Sequence, residues 1–231
     1  YKIESIITYG ENSKLDYYIK KINRIYNKIS KITYATPTKI FNFKTSYLFK
    51  HQILNIIIPL IIFIFNKIPT KYFITKIKNI PSIYGRGSHH LLYLNKKIVR
   101  LINESYNASP VSMQNSIKYF NEIKSNYSQK KILIIGEMLE LGKKSSLFHK
   151  EITMNALKQP IDIIIFCGSK YKNILSKTNL YRKNVYYFEN EKKIYKFLSN
   201  TIQKNDIILA KGSNASKVNK FVSLLLEKEE K

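Results

Sequence analysis

The chain has 231 residues and a mass of 27.2 kDa, room for one large domain or two small ones, with 40 Lys+Arg against 15 Asp+Glu for a net charge of +25. A hydrophobic fraction of 44% and an aromatic fraction of 13% exclude wholesale disorder. The single cysteine, Cys167, excludes an intramolecular disulfide framework and fits a reducing compartment, and no Cys/His array has the spacing of a structural zinc site.

Two regions separate by pattern. In the first, residues 1–84, Ser5 to Tyr9 reads as a strand entering a turn at Gly10-Glu11-Asn12. Alternating segments at Ile29–Tyr34 and Lys39–Phe43 predict antiparallel strands, an apolar helix starts at Ile53, and a further stretch runs from Tyr72 to Ile80. Pro81-Ser82-Ile83-Tyr84-Gly85-Arg86-Gly87 marks a domain junction. In the second region, residues 85–231, strands at Val99–Asn103, Lys131–Ile135, Asp162–Phe166, Val185–Phe188 and Asp206–Ala210 alternate with helices at Ser112–Lys124, Ser146–Leu157, Lys192–Ile202 and Lys217–Glu227. Ile-rich strands with no polar alternation, separated by helices, predict an α/β fold whose parallel, doubly wound sheet is covered on both faces. Ligands on such sheets sit beyond the carboxyl ends of the strands. Those ends are Asn103-Glu104-Ser105, Gly136-Glu137-Met138, Cys167-Gly168-Ser169 and Lys211-Gly212-Ser213.

A charge of +25 invites a nucleic-acid reading. Its distribution argues against one, with +11 on residues 1–84 and +14 on residues 85–231, so that no single arm carries it. Only Arg24, Arg86, Arg100 and Arg182 are arginines, and arginine is the residue suited to bidentate phosphate and base contacts. The overuse of Lys, Asn, Ile, Tyr and Phe together is what A/T-rich codons produce, and the tail Glu227-Lys228-Glu229-Glu230-Lys231 reads as a solvated helix end. The apolar run from Ile53 to Phe65 is 13 residues, interrupted by Asn55 and Pro59. That is short of the roughly 18–20 residues that cross a bilayer, so a buried helix is expected.

Several segments carry chemistry. Gly136-Glu137-Met138-Leu139-Glu140-Leu141-Gly142-Lys143-Lys144-Ser145 follows a strand like a phosphate-binding P-loop, but five residues separate its glycines instead of four. Met138, Leu139 and Leu141 are also bulky where backbone N–H groups must wrap phosphate. Glu104-Ser105-Tyr106-Asn107-Ala108-Ser109-Pro110 is dense in hydrogen-bonding groups between a strand and a helix. Asn107 or Ser109 suffices to cap that helix, with Pro110 in its first turn, and the remaining polar groups point to a ligand-facing loop. Arg86, between two glycines, is placed either to reach a phosphate across an interdomain cleft or to sit solvated at a hinge. His89 and His90 lack acidic or Cys-rich neighbours, His51 and His149 stand alone, and no metal site is expected. Cys167 reads as core.

In this order, the residues resemble the carboxyl-terminal half of a Mur ligase. The family pattern H-N-x-x-N reads here His51-Gln52-Ile53-Leu54-Asn55, and G-R reads Gly85-Arg86. D-D-S-Y-N-A-N-P-x-S-M reads Asn103-Glu104-Ser105-Tyr106-Asn107-Ala108-Ser109-Pro110-Val111-Ser112-Met113. G-D-M-x-E-L-G with its downstream His reads Gly136 to Gly142 and His149, and V-K-G-S-R reads Ala210-Lys211-Gly212-Ser213-Asn214. The D-Y-A-H-type motif of the siblings that add earlier stem-peptide residues is absent.

The resemblance implies that residues 1–84 are the tail of the central ATPase domain, without its P-loop, and that residues 85–231 are the Rossmann-like ligase domain. It implies a cytoplasmic, ATP- and Mg2+-dependent enzyme of peptidoglycan synthesis that phosphorylates the carboxylate of UDP-N-acetylmuramoyl-tripeptide. The amine of D-alanyl-D-alanine then attacks the acyl phosphate. By the same resemblance His51, Gln52 and Asn55 lie near the adenine, Arg86 at the terminal phosphate and Glu104 at the ribose. Arg86 and Lys211 are catalytic, and Ser105, Tyr106, Asn107, Lys211, Gly212 and Ser213 line the dipeptide cleft. Magnesium ligands and the P-loop lysine are expected upstream of Tyr1, on the same protein or a separate chain, since a first residue that is not Met suggests a missing beginning. The departures are Gln52 for Asn, Glu104 for Asp, Ser109 for Asn, Glu137 for Asp, Asn214 for Arg, and Pro59 within a helix of small residues, where it is expected to introduce a kink. They leave open an inactive remnant as an alternative, alongside a basic nucleic-acid-binding module supported by net charge alone.

Overall fold

A computed structural model describes residues 6–25, 29–81, 83–125, 128–178 and 184–227. Ser5, Ser82, Arg182 and residues 228–231, which figure in the expectations above, lie outside the described residues. The chain divides into two units, residues 1–82 and 83–231.

The first unit is a four-stranded sheet with two helices. Its strands β1 (Tyr9–Gly10), β2 (Tyr17–Ile25), β3 (Ile29–Ala35) and β4 (Ile40–Thr45) lie in chain order, β2 to β4 antiparallel. Strand β4 alternates strictly between exposed and buried positions, so Phe41, Phe43 and Thr45 face inward. Helix α1 (Lys50–Phe65) buries Ile53, Ile56, Ile57, Leu60 and Ile61, the three- and four-residue spacing of one helical face. Each such aliphatic side chain contributes about 1.5–3 kcal/mol when fully buried. Those residues meet Ile32, Tyr34, Phe43 and, from helix α2 (Lys71–Ile77), Phe73 and Ile77.

The apolar run is thus a one-sided helix, with Ile58 and Ile62 left exposed. Among the described residues no helix is long and apolar enough to cross a membrane. Helix α1 is a single 16-residue element through Pro59, with no break in the helix there; Pro59 and Asn55, four residues before it, are both on the exposed face. The carbonyl that the proline ring deprives of a partner therefore faces water. The strand expected from Ser5 to Tyr9 is corrected. Ile6 to Thr8 belong to no strand, and β1 is only Tyr9–Gly10. The cause is local: the Asp16 carboxylate accepts from both the backbone and the hydroxyl of Thr8, at 2.8 and 2.6 Å, which folds the segment back before pairing can extend.

The second unit is doubly wound. Its strands are β5 (Ser88–Leu94), β6 (Lys97–Glu104), β7 (Lys131–Ile135), β8 (Ile163–Cys167), β9 (Val185–Phe188) and β10 (Ile207–Lys211), in the order β5-β6-β10-β7-β8-β9. All neighbours are parallel except β5, which pairs antiparallel with β6, so the expected all-parallel sheet carries an antiparallel edge. The reversal is a two-residue hairpin in which Asn95 and Lys96 have φ of 50° and 62°. Both central residues at positive φ is what a hairpin matching the strand twist requires.

Helices α3 (Pro110–Glu122), α4 (Ser145–Leu157) and α5 (Ser169–Ser176) pack in succession, and α6 (Glu191–Thr201) packs on α7 (Lys217–Glu227). Leu101, Ile132, Ile134, Ile165, Ile208 and Ala210 share a core with Phe221 and Leu198 of the α6/α7 layer. The alternate strand residues Ile102, Leu133, Ile135 and Leu209 are buried as well. Burial of both faces explains the continuous Ile/Leu runs.

Two carboxylates, that of the buried Asp206 and that of the exposed Asp162, fasten the amino ends of the strands. Asp206 accepts from the backbone N–H groups of Lys130 and Gln203, each at 2.8 Å, and Asp162 from that of Lys131 at 2.8 Å. Asp206 is fully buried, so its removal strands two donors. Asp206→Ala is expected to lower unfolding free energy by about 2–4 kcal/mol in urea denaturation, at about 1.5–3 kcal/mol per charge-assisted bond with partial relaxation. A loss below about 1 kcal/mol would show that the bonds do not hold the strand ends.

Candidate functional site

Strand β10 lies between β6 and β7, yet the helix that follows it, α7, covers one face of the sheet while α3 and α4, which follow β6 and β7, cover the other. Chain paths that diverge on either side of one strand open crevices beyond its carboxyl end, where open α/β sheets bind ligands. The residues at that end are Lys211, Gly212 and Ser213, and beside them stand Asn103 to Asn107 from the end of β6.

A buried ion pair ties these segments together. Lys211 Nζ is 3.0 Å from Glu104 Oε2, both side chains are 3% exposed, and the partners are 107 residues apart in sequence. The same ammonium donates to the Asn107 carbonyl at 2.9 Å, and Glu104 also accepts from Ser116 Oγ of α3 at 3.2 Å. In so dry a position each charge requires the other, and the hydrogen bonds from Ser116 and to the Asn107 carbonyl add to the pairing.

Around the pair, Ser105 donates toward Asn103 Oδ1 and Asn219 Oδ1, 2.7 and 2.9 Å away, which joins the loop to α7. Ser109 rather than Asn107 caps α3, accepting from Ser112 N–H at 3.2 Å with Pro110 in the first turn. Asn107 is left exposed with its carbonyl held. Tyr106 is exposed, and the Arg86 guanidinium stacks 4.8 Å from its ring centre. Gly85 permits this closeness: its φ is +69°, and a Cβ there would stand 2.7 Å from Tyr106 Cβ.

On the other side of β10, the chain after β7 is laced to the same loop. Gly136 N–H donates to the Lys211 carbonyl at 2.7 Å, Ser213 N–H to the Glu137 carbonyl at 3.0 Å, and Leu139 N–H to Ser213 Oγ at 3.0 Å. Met138 is buried and its N–H donates to His149 Nε2. The amides at Met138 and Leu139 are therefore committed to protein acceptors. Gly212 has no room for a side chain, since a Cβ would stand 2.6 Å from Ser216 Oγ and 3.1 Å from Gly136 Cα.

The expected site residues fall into two groups. Arg86, Glu104, Ser105, Tyr106, Asn107, Lys211, Gly212 and Ser213 come together at the carboxyl ends of β6 and β10. His51, Gln52 and Asn55 lie on α1 of the other unit. Gln52 Oε1 accepts from Phe49 N–H at 3.3 Å at the start of its own helix, His51 packs 5.6 Å from the Phe49 ring centre, and Asn55 is exposed.

Sequence reasoning missed Ser116, Asn219 and the structural use of His149. The one signal for Ser116 was a small polar residue on the apolar face of α3 beside Met113, Ile117 and Phe120. His90 Nε2 lies 2.9 Å from Ser88 Oγ, and among the described residues no group of three or more His, Cys, Asp or Glu is placed to hold a metal ion. Burial, and then the Glu137 and Glu191 charges, push the Cys167 thiol up to about 12, too high for a nucleophile near neutral pH. Lys211→Met alone is expected to cost about 3–5 kcal/mol, because Glu104 is left buried without its cation, while Glu104→Leu with Lys211→Met stays within about 2 kcal/mol of the parent. Urea denaturation of the three proteins checks this, and a double variant no more stable than Lys211→Met would contradict the pairing.

Comparison with known proteins shows the family of the chain. The family described as "Mur ligase, glutamate ligase domain" matches residues 92–214, more than half of the chain. The UDP-N-acetylmuramoyl-tripeptide–D-alanyl-D-alanine ligase of Rickettsia prowazekii is 30% identical over 218 residues, which cover 93% of this chain and 42% of that protein. The enzyme of the same name from Buchnera aphidicola is 31% identical over 167 residues, covering 71% of this chain and 34% of the relative. This chain thus spans less than half the length of these curated relatives. The MurF ligase of Thermotoga maritima, solved in complex with ADP, has the same fold with a TM-score of 0.78 at 22% identity, over 96% of this chain and 49% of that one. With its doubly wound second unit matched by both sequence and structure, the chain belongs to the Mur ligase family.

Proposed function

We propose that this chain is the ligase-domain portion, with the end of the central ATP-binding domain, of a cytoplasmic enzyme of peptidoglycan precursor synthesis. That enzyme joins D-alanyl-D-alanine to UDP-N-acetylmuramoyl-tripeptide. The observation that carries the reading is the convergence of Ser105–Asn107 and Lys211–Ser213, the segments that resemble the family's dipeptide-binding loops, on one buried ion pair beyond β6 and β10. The relatives from Rickettsia and Buchnera, named for this reaction, support the choice of substrates.

The two cofactors fit this chain differently. No acidic cluster among the described residues suits magnesium, and Glu104 is committed to Lys211 and Ser116, so these residues do not fit that ion. For the nucleotide, this unit offers the exposed Arg86 guanidinium on its Tyr106 platform, and the amides after β7 that would wrap phosphate are already engaged at Met138 and Leu139. ATP supplies the phosphoryl group that turns a carboxylate into an electrophile.

The chain's own residues orient the reactants. Arg86 presents a planar cation to an anionic oxygen, and its stacking on Tyr106 limits the rotamers it must give up on binding. Lys211, working from within its pair, fixes the Asn107 turn from below and leaves the Asn107 side chain and the Tyr106 ring to face the ligand. Such positioning converts an encounter of amine and activated carboxyl into a reaction within one complex.

A chimera tests this: residues 1–231 fused behind the part of the Rickettsia prowazekii ligase that precedes its matched region. With ATP, Mg2+, UDP-N-acetylmuramoyl-tripeptide and D-alanyl-D-alanine it is expected to yield the UDP-linked pentapeptide, read by mass spectrometry. Arg86→Ala is expected to reduce kcat/KM by about 100-fold, the order of one lost charge-stabilising donor. Residues 1–231 alone are expected to turn over no ATP. A folded, nucleotide-binding chimera that forms no pentapeptide would contradict the proposal.

A further inference from the structure

We propose that His149 is a positioning residue for the Lys211–Ser213 loop, acting through the Glu137–Leu139 segment. Its bearing on ligation rests on the ligase reading above; the contacts themselves do not.

The hydrogen-bond partners of His149 fix its proton. Nδ1 lies 2.7 Å from the Ser145 carbonyl, which can only accept, so Nδ1 carries the hydrogen. Nε2 receives the Met138 N–H at 3.1 Å, so Nε2 carries none. The ring is fully buried and meets Tyr171 edge-on with centres 5.1 Å apart. Tyr171 in turn donates its hydroxyl to the Gly136 carbonyl at 3.1 Å.

One residue further on, the Glu137 side chain lies over Gly168, where no Cβ would fit, and accepts from Lys170 N–H at 2.9 Å and Ser169 Oγ at 3.1 Å in the first turn of α5. Helices α4 and α5 thus grip Gly136, Glu137 and Met138 from behind. The front of that segment carries the Lys211–Ser213 loop through the Ser213 N–H to Glu137 carbonyl and Leu139 N–H to Ser213 Oγ bonds. Removing the Nε2 acceptor frees the middle of this brace, while the β7 strand behind it keeps its own ladder.

Charge sets the pH range. Burial holds the His149 pKa below the ordinary histidine value, against the Ser145 hydrogen bond and the Glu137 carboxylate, which favour the cation, and with the Lys170 ammonium, which opposes it. The native fold therefore requires neutral imidazole. The contribution is present in full above the unfolded value of about 6.5 and is lost as pH falls below it toward the lower native value. A proton on Nε2 would set two donors face to face.

Native-state hydrogen exchange on 15N-labelled residues 1–231, corrected for intrinsic rates, reads the brace directly. In the parent chain, protection of the Met138, Leu139 and Ser213 amides is expected to fall about tenfold between about pH 7.5 and about pH 5, with Ile132–Ile135 unchanged. His149→Gln keeps an acceptor near the Nε2 position without titrating, and is expected to retain protection and lose its pH dependence. His149→Phe keeps the ring volume and is expected to lose about tenfold in protection at every pH. Two results would overturn the inference: loop protection in His149→Phe within about twofold of the parent, or an equal loss at Ile132–Ile135, which would mark His149 as core filling. If His149→Phe does not fold, the parent pH profile and its flattening in His149→Gln decide. Exchange is read without substrate, so an inactive ligase chimera leaves this result standing. A flat exchange profile beside an active chimera overturns this inference alone.

Discussion

A lysine and a glutamate, each 3% exposed, cannot remain charged in a sheet interior unless they meet, and the meeting of Lys211 with Glu104 draws the ends of β6 and β10 together. From that pair the rest of the site follows by hydrogen bonds of ordinary length. The ammonium reaches on to the Asn107 carbonyl and the carboxylate to Ser116, so one loop, one strand end and one helix share a single electrostatic centre. Replacing such a pair with apolar side chains is often neutral for stability. Its value here is the fixed placement of Tyr106 and Asn107 at the surface, with Arg86 on the Tyr106 ring.

The topology puts this centre where a ligand can use it. Because β10 enters between β6 and β7 and its helix leaves to the opposite face, Lys211–Ser213 lies at the point of the sheet where α/β folds bind ligands. The segment after β7 closes the second side, braced by His149, Tyr171 and the first turn of α5. Close approach demands glycine at Gly212 and Gly168, positions where a single carbon would collide with Ser216 and Glu137. The polar groups of the candidate site thus sit on loops held by hydrogen bonds to neighbouring strands and helices.

Much of this was legible in the residues. The Ile-rich strands β7, β8 and β10 announced themselves because burial on both faces removes polar alternation, and the rule that ligands sit at strand carboxyl ends singled out the segments after β6 and β10 that the fold brings together. Strand β5 was not legible: Ser88-His89-His90 opens it with polar residues, and its hairpin uses Asn95-Lys96 where a glycine would have been the usual signal. Strand β2 was hidden by its lysines and by an irregular register between Ile19 and Lys21, which breaks the two-residue period. Within the site, motif residues were visible as polar clusters, but Ser116, Asn219 and His149 act across distances of 12, 114 and 11 residues, and neither the polar spot on α3 nor the motif histidine shows which partner it meets. The helix of Gln52 taught a different lesson, since an amide that resembles a nucleotide ligand also serves its own helix start.

The Glu104–Lys211 pair couples segments distant in sequence into one site. Backbone amide chemical shifts of Glu104→Gln, compared with the parent by 15N NMR, test it most directly. Such coupling requires shifts at Tyr106, Asn107, Arg86 and Ser213 to move together while amides of the first unit, such as Ile32 and Phe43, stay in place. Changes confined to residues adjoining 104 and 211, with Asn107 and Arg86 unmoved, would contradict it.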